Sequence, residues 1–132
     1  MKEIKVQTNS RSEMIDITSL VQVAISENKV KKGVCIIFIP HTTAAVTINE
    51  NADPDVPRDI ITALEMVFPQ NSHYRHMEGN SPAHVKASLV GASATVLIEA
   101  GRLVLGTWQS IFFCEFDGPR SRKVFLSIIS ND

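Results

Sequence analysis

The sequence has little cysteine and no paired cysteine motif. Its two cysteines, Cys35 and Cys114, lie far apart within apolar runs, and no Cys-x-x-Cys is present. This spacing excludes a zinc site built from cysteine pairs. A disulfide would need an oxidising compartment or a hyperthermophilic host, whereas a free cysteine is usually buried like a small hydrophobic residue. We therefore predict two buried thiols.

The sequence also lacks an excess of either charge and any long hydrophobic run. Its formal net charge is -1 and its pI is about 6.4, so no overall field attracts nucleic acid or an acidic membrane. The longest apolar run, Val34 to Ile39, is far shorter than the roughly 20 residues that span a bilayer. The N-terminal MKEIKVQT is charged and alternating, unlike a signal peptide. We expect a cytoplasmic protein with neither nucleic-acid nor membrane partners.

Two catalytic motifs are absent as well. The sequence contains neither the GxSxG motif of a serine nucleophile nor the GxxxxGK motif of a phosphate loop. Both cysteines lie in apolar runs rather than in settings that activate a thiol. Nucleophilic catalysis therefore has little support.

The composition is that of an ordinary globular protein. The 132 residues are 44% hydrophobic and 20% charged, close to the average for soluble domains. This length suffices to bury a core without disulfides or metals. We predict one domain over residues 1–132.

The N-terminal part predicts two strands and a helix. Lys2–Thr8 and Glu13–Ile17 alternate polar and apolar residues on either side of a short polar segment, which is typical of a hairpin. Helical spacing of apolar residues predicts a helix from about Ser19 to Lys32, with Ser19 and Gln22 resembling a capping box.

The rest of the chain predicts further strands around two more helices. The predicted strands are Gly33–Pro40, Ala44–Ile48, Ala94–Ile98, Leu103–Leu105, Trp108–Asp117 and Val124–Ile129; the helices are Pro57–Val67 and Pro82–Val90. Gly33–Pro40 is almost entirely apolar, which favours a central strand buried on both faces. Gln70–Arg75 is polar and predicts a loop. The fold class is therefore α+β, with mostly antiparallel sheets and two to three helices.

The strand Trp108–Asp117 has two unlike faces. Its even-numbered residues are mainly apolar and typical of a core. Its odd-numbered residues place Gln109, Glu115 and Asp117 beside two apolar side chains. We interpret this second face as a site wall or a subunit contact.

Two polar clusters interrupt the pattern and form the candidate site. One is His41-Thr42-Thr43, after the central strand; the other runs from His76 to His84. Within the second cluster, Ser81-Pro82 predicts a helix start, because serine can cap and proline suits the first helical position. Loops beside rigid elements often carry functional groups. We predict that the fold brings the two clusters together.

The histidines of these clusters allow two chemistries. Neutral imidazoles from His41, His76 and His84 could bind one divalent metal, zinc or magnesium, and leave a coordination position open. Their spacing matches no standard zinc motif. Without a metal, the same groups could act as general acid, general base and anion binder. The sequence leaves both chemistries open.

Donors for an anionic ligand surround the histidines. Thr42 and Thr43 offer hydroxyl groups, Gly79 and Asn80 offer backbone and amide donors, and the helix start at Ser81 offers free backbone N–H groups.

Arg120 and Arg122 could add charge-assisted hydrogen bonds to the same ligand. For both arginines the alternative is a solvated turn after a strand. A phosphorylated small molecule is thus a chemically reasonable partner.

Five motifs occur together along the chain. They are HTTAA at 41–45, INENAD at 48–53, HMEGNSPAH at 76–84, LGTWQ at 105–109 and FDGPR at 116–120. In this order they resemble the YjbQ-like family, often labelled secondary thiamine-phosphate synthase, over nearly the whole chain. One departure lies in Ala94–Ile98, where the resemblance leads us to expect a proline near Leu97.

The resemblance implies an α+β fold and a homotrimer with sites at or near the subunit boundaries. It implies that the three histidines form a cluster and that Glu50 is a further catalytic candidate. The other implied neighbours of the cluster are Asn49, Asn80 and Gln109. The implied activity joins a hydroxymethylpyrimidine diphosphate to a thiazole phosphate and releases pyrophosphate.

Three functions are consistent with these features. The first is an enzyme acting on a phosphorylated small molecule, with thiamine-phosphate synthesis as the named candidate. The second is a non-catalytic module that binds a phosphorylated ligand or a metal. The third is an oligomer whose polar clusters serve assembly. Convergent histidines favour the enzyme without proving it.

Overall fold

A computed structural model describes residues 1–70 and 73–132 of the chain. The loop predicted over Gln70–Arg75 therefore includes two residues, Asn71 and Ser72, that lie outside the described residues. No helix within the described ranges is long and apolar enough to cross a membrane.

The described chain contains eight strands and three helices. In order, they are β1 (Lys2–Gln7), β2 (Glu13–Asp16), α1 (Thr18–Asn28), β3 (Gly33–Phe38), β4 (Ala44–Glu50), α2 (Asp55–Val67), α3 (Ser81–Val90), β5 (Ser93–Glu99), β6 (Arg102–Leu103), β7 (Gln109–Glu115) and β8 (Ser121–Ser130). The strands form two antiparallel sheets, ordered β1-β8-β3-β5-β6 (sheet A) and β2-β7-β4 (sheet B). The predicted α+β class is confirmed.

The predicted N-terminal hairpin is wrong. β1 pairs with β8 in sheet A, whereas β2 pairs with β7 in sheet B. The turn between them is closed by the Glu13 carboxylate, which accepts hydrogen bonds from the amides of Asn9 and Ser10. Alternation identified each strand correctly but carried no information about its partner.

The main core lies where the inner faces of the two sheets meet α1. Its buried members include Val21 and Ile25 from α1, Ile37 from β3 and Phe113 from β7. Cys35 lies in this core, and burial raises the pKa of its thiol to about 11. Cys114 is buried on the opposite face of sheet B, with its thiol pKa raised by burial to about 12. Both cysteines are free, as predicted.

β3 is the central strand of sheet A, but it is buried on only one face. Cys35 and Ile37 point into the core, while Phe38 on the other face is 46% exposed. The prediction of burial on both faces is therefore wrong for this chain alone. β5 pairs regularly with β3 through Leu97, the position where a proline was expected.

β7, rather than β3, is buried on both faces. Its odd-numbered Ile111 and Phe113 lie in the main core, and its even-numbered Phe112 and Cys114 contact a second cluster beneath α2 and α3. The odd-numbered face of β7 is therefore core, not the predicted site wall or subunit contact. Trp108, just before the strand, is 63% exposed.

The helix caps differ from the predicted ones. The Asp16 carboxylate, rather than Ser19, accepts hydrogen bonds from the amide and hydroxyl of Thr18 at the start of α1. Gln22 bonds to the backbone of Gly101 and Leu103, so it ties α1 to the β5–β6 turn instead of forming a capping box.

Candidate functional site: a histidine pocket between β3 and α3

The two polar clusters meet in a shallow pocket beside α3, the histidine pocket. Its volume is about 310 Å³. The lining residues are His41, Thr42, Ala44, His84, Ala87, Ser88 and Ala92. α3 packs against β4, so the first turn of the helix lies near the segment that joins β3 to β4. His41 from the first cluster and His84 from the second therefore line the pocket.

His41 has a defined orientation. Its Nε2 accepts a hydrogen bond of 2.9 Å from the backbone amide of Lys123 on β8. An imidazole that accepts at Nε2 and is neutral carries its proton on Nδ1. Partial burial, followed by the nearby Arg122 guanidinium, holds the pKa of His41 below its ordinary value. His41 is therefore a neutral group that offers an N–H donor at neutral pH.

His84 and His76 are in direct contact. Their ring centroids are 5.3 Å apart in an edge-to-face arrangement. His84 lines the pocket and is half-buried, whereas His76 lies outside the lining and its Nε2 is 3.8 Å from a carboxylate oxygen of Glu78. The structure thus brings His84 beside both other histidines, with His41 across the pocket and His76 against its ring.

The arrangement does not fit a metal centre formed by these three residues. Within residues 1–70 and 73–132, no group of three or more His, Cys, Asp or Glu side chains could hold a metal ion. A histidine ligand must present an unprotonated nitrogen, and His41 has its Nε2 engaged by Lys123 and its proton on Nδ1. These three side chains therefore do not form a metal centre within this chain.

A buried ion pair lies behind His41. Glu115 is fully buried and Arg122 is 3% exposed. The Arg122 guanidinium donates to both Glu115 carboxylate oxygens and to the Thr43 hydroxyl. Burial alone would raise the pKa of Glu115, but hydrogen bonds from Arg122, the Asp117 amide and Thr8 outweigh it and hold that pKa below its ordinary value.

Neither predicted arginine presents an unpaired charge to the pocket. Arg122 is enclosed by Glu115 and Thr43, so its predicted role as a ligand-binding cation is wrong for this arrangement. Arg120 is exposed, and its guanidinium bonds to the Asp117 side chain and carbonyl. The sequence placed both residues near the site correctly but could not show that a carboxylate accompanies each of them.

Thr42 and Thr43 have different roles despite adjacent positions. Thr42 is exposed and lines the histidine pocket, so its hydroxyl can reach a ligand. Thr43 is 5% exposed, and its hydroxyl accepts a hydrogen bond from Arg122. Of the pair, only Thr42 fits the predicted ligand-binding role.

Asn80 acts differently from the predicted anion donor. Its side-chain NH2 donates to Asp117 over 2.9 Å, and its side-chain Oδ1 is buried without a hydrogen-bond partner among the described residues. Its backbone carbonyl accepts from the amides of Ala83 and His84 at the start of α3. The orphaned group is therefore an acceptor, which suits a ligand or water donor rather than a phosphate.

The start of α3 offers fewer free amides than predicted. Ser81 is the first helical residue, makes no side-chain cap, and is followed by Pro82, which has no N–H. Since Ala83 and His84 donate to Asn80, little remains for an anion. Gly79 adopts a positive φ of 77°, and its carbonyl accepts a hydrogen bond from Gln70.

The remaining predicted neighbours lie at the other end of sheet B. The register pairs Ala44 with Glu115 near His41, but pairs Glu50 with Gln109. Six residue steps along β4 separate these ends by about 20 Å. Asn49, Glu50 and Gln109 therefore do not contact the histidines within one chain. Their predicted place beside the histidines at a subunit boundary stays a prediction.

Two important groups near the site were not predicted. Lys123 contributes a backbone amide, and no side-chain pattern could have revealed that contact. Lys86 is 3% exposed on α3, with its Nζ 3.0 Å from Glu65 on α2. The sequence feature that could have indicated this burial is a lysine among the mainly small and apolar residues of α3.

Comparison with known proteins gives a consistent result over almost the full chain. The family described as "UPF0047 protein YjbQ-like" matches residues 2–131. The chain is 54% identical to UPF0047 protein MJ1081 of Methanocaldococcus jannaschii, covering 96% of this chain and 92% of that protein. It is 50% identical to UPF0047 protein YugU of Bacillus subtilis, covering 98% of both.

Solved structures agree with these relationships. A crystal structure of an uncharacterised YjbQ/UPF0047 family protein from Clostridium acetobutylicum superimposes with a TM-score of 0.96 and 56% identity, covering 98% of this chain and 100% of that one. The conserved hypothetical protein TT1486 of Thermus thermophilus gives a TM-score of 0.91 and 39% identity, with 98% and 100% covered.

Proposed function

This chain belongs to the YjbQ-like UPF0047 family, and we propose that it is a cytoplasmic enzyme that acts on a phosphorylated small molecule in the histidine pocket. The observation that carries the proposal is the pairing of an oriented, neutral His41 with His84 in one pocket. Two imidazoles across a small pocket can donate and accept protons on the same ligand.

The proposed roles follow from the geometry. His41 donates from Nδ1, because Lys123 occupies its Nε2, and this donor suits a phosphate oxygen or a leaving oxygen. His84 acts as the proton acceptor, with its ring oriented by the edge-to-face contact with His76. Thr42 provides a second hydroxyl contact at the rim. His41, His84 and Thr42 line the pocket, and the Lys123 amide and the His76 ring orient the two histidines.

Thiamine-phosphate synthesis is the first reaction to test, because the resemblance implies it. In that reaction, pyrophosphate leaves with the electron pair of the broken bond, and the thiazole phosphate supplies the pair for the new bond. Departing pyrophosphate needs positive charge or strong donors near its oxygens. The Nδ1–H of His41 and the hydroxyl of Thr42 would provide such donors.

One observation favours a second candidate, a non-catalytic module that binds the same kind of ligand. Arg120 and Arg122 are both paired with carboxylates of the same chain. Neither therefore offers a free guanidinium to stabilise a strongly anionic transition state, whereas binding needs less charge. The two candidates differ in turnover, not in where the ligand binds.

His84→Ala separates the candidates. We expect it to abolish turnover of the pyrimidine diphosphate and thiazole phosphate pair, because it removes one of the two imidazoles that line the pocket, while the thermal midpoint stays within a few degrees. Ser88→Ala is the matched control, since Ser88 lies one helical turn away and lines the same pocket. Full activity in His84→Ala would refute the enzyme proposal. Pyrophosphate binding by calorimetry without any wild-type turnover would support the binding module.

We also propose that the protein forms a homotrimer through the outer face of sheet A. The register places the apolar side chains Val34, Leu97 and Ile129 side by side across three strands. Leu97 and Ile129 are 59% and 54% exposed, and Phe38 on the same face is 46% exposed. Contiguous exposed apolar surface of this kind marks interaction sites.

Light scattering tests the proposed assembly. We expect three times the chain mass of 14.6 kDa at micromolar concentration, and a smaller species for Phe38→Lys, which places a charge on the apolar face. Ala63→Lys, which adds the same charge at an exposed position of α2, is the control for charge change alone. A monomer mass for the wild type would refute the proposal.

A further inference from the structure

A second cleft lies between α2 and the outer face of sheet B, because α2 covers this face only in part. The helix has a well-defined apolar side, yet none of its residues is fully buried. Ile61 and Leu64 contact the second core cluster and remain half-buried. A helix with a strong apolar side normally buries that side against its sheet. Here the packing leaves a cleft with a volume of about 610 Å³.

The floor of the cleft is apolar. Strand pairing puts Asp16 opposite Phe112 and Met14 opposite Cys114, so these side chains share the face beneath α2. Phe112 is 2% exposed and forms the base of the cleft with Met14, while Pro57 and Ile61 of α2 form the opposite wall. An apolar base facing an apolar wall suits a flat ring.

The rim of the cleft carries net negative charge. Asp16 and Glu13 line it, and the Asp16 carboxylate is held in place by hydrogen bonds from Asn51 and Thr18. The one cation among the described lining residues is Arg58, whose side chain is 78% exposed and lies 3.8 Å from Asp55. The Asp16 carboxylate is therefore fixed at the rim. The Arg58 guanidinium instead extends into solvent, and the nearby Asp55 carboxylate partly balances its charge.

We propose that this cleft binds a small aromatic ligand with a cationic or amino group, with the ring against Pro57 and Ile61 over Phe112 and the cation beside Asp16. Its volume lies within the range of about 300–1,000 Å³ found for small-molecule sites. An apolar base with a few fixed polar groups at one side is the usual composition of such sites. Among the described residues, the cleft and the histidine pocket share no lining residue, so this is a separate site.

Benzamidine and benzoate are matched probes, with the same ring and opposite charge. The test titrates each into ¹⁵N-labelled full-length protein and follows the backbone amides by NMR. We expect benzamidine to shift the amides of residues 12–16 and 57–62, and benzoate to leave them unchanged. The Asp16→Asn variant should weaken benzamidine binding at least threefold, since it removes the fixed charge.

Three further variants protect the test from a folding defect in Asp16→Asn. Arg58→Glu makes the rim more acidic at an exposed position and should tighten benzamidine binding several-fold. Arg102→Glu makes the same charge change on exposed β6, away from the cleft, and should have little effect. Ile61→Trp, which fills the cleft from α2, should abolish binding while the other amides keep their positions.

Several outcomes would overturn the proposal. Equal shifts from benzoate would show that charge at the rim does not select the ligand. An equal gain in benzamidine affinity in Arg102→Glu would show that overall charge, and not charge at the rim, sets the affinity. Shifts confined to the histidine pocket would place the probe elsewhere. Dilution that shifts the cleft amides without any probe would show that a second copy of the chain occupies the cleft.

Discussion

The buried pair Glu115–Arg122 provides a sharp test of the structure. Glu115 is fully buried and Arg122 is 3% exposed, so solvent screens their interaction very little. The carboxylate also accepts hydrogen bonds from the Thr8 hydroxyl and the Asp117 amide. Arg122→Met would leave this carboxylate buried with only the neutral donors. The perturbation therefore removes the positive charge that balances a charge inside the protein.

The expected loss is large. Removing one partner of a buried ion pair costs about 3–5 kcal/mol, because the remaining charge is uncompensated. For a domain of this size, that loss lowers the thermal midpoint by on the order of 10–20 °C. Urea unfolding at pH 7, at one fixed protein concentration, measures the free energy directly. This loss of unfolding free energy is expected only when Arg122 alone is replaced. If both partners are replaced by apolar residues, no unpaired charge remains buried.

Arg120→Met is the matched control. Arg120 also pairs with a carboxylate, that of Asp117, but its side chain is 50% exposed. Exposed pairs contribute about 0–1 kcal/mol, so this variant should unfold nearly as the wild type does. Combining Arg122→Met with Glu115→Leu should recover much of the loss. If Arg122→Met costs no more than Arg120→Met, the pair is not buried as described.

Two further predictions follow from the same packing. The pKa of Glu115 is lower in the folded state, so its contribution to stability is complete above the unfolded pKa of about 4.3 and is lost as pH falls through the folded pKa. Glu115→Gln should therefore show a smaller loss of stability between pH 5 and pH 3 in urea titrations, and an unchanged pH dependence would contradict this reasoning. Gly33→Ala would make a Cβ overlap the Ile129 carbonyl oxygen and should cost at least about 2 kcal/mol by thermal unfolding. Gly79→Ala meets no described atom within 4 Å and incurs only the strain of φ 77°, about 1 kcal/mol, so an equal loss in both variants would refute the close approach at Gly33.

Much of the local structure could be predicted from the sequence because it depends on neighbouring residues. Alternation identified β1 and β2, and helical spacing with flanking Pro and Gly residues identified α2 and α3. The error was in the pairing: β1 and β2 belong to different sheets. Local periodicity shows which side of a strand is apolar, but the partner depends on how distant segments pack.

At the site too, local sequence predicted the candidate residues but not their distant partners. The sequence indicated His41 and His84 as functional candidates because each lies in a polar cluster at the end of a regular element. It could not show that Lys123, 82 positions away, donates to His41. It also could not show that Glu115 is the partner of Arg122, since that contact needs β7 and β8 to place both side chains together.

The sequence by itself determined the class of fold, the positions of most strands and helices, and the burial of both cysteines. These follow from hydrophobic periodicity and from the preferences of residues for helix, strand and turn. Only the tertiary structure decided which strands pair, that the histidines lack the arrangement of a metal centre, and that both arginines are paired. Contacts between distant residues depend on register and packing, and side-chain charge becomes available to a ligand only where no neighbouring group has already paired with it.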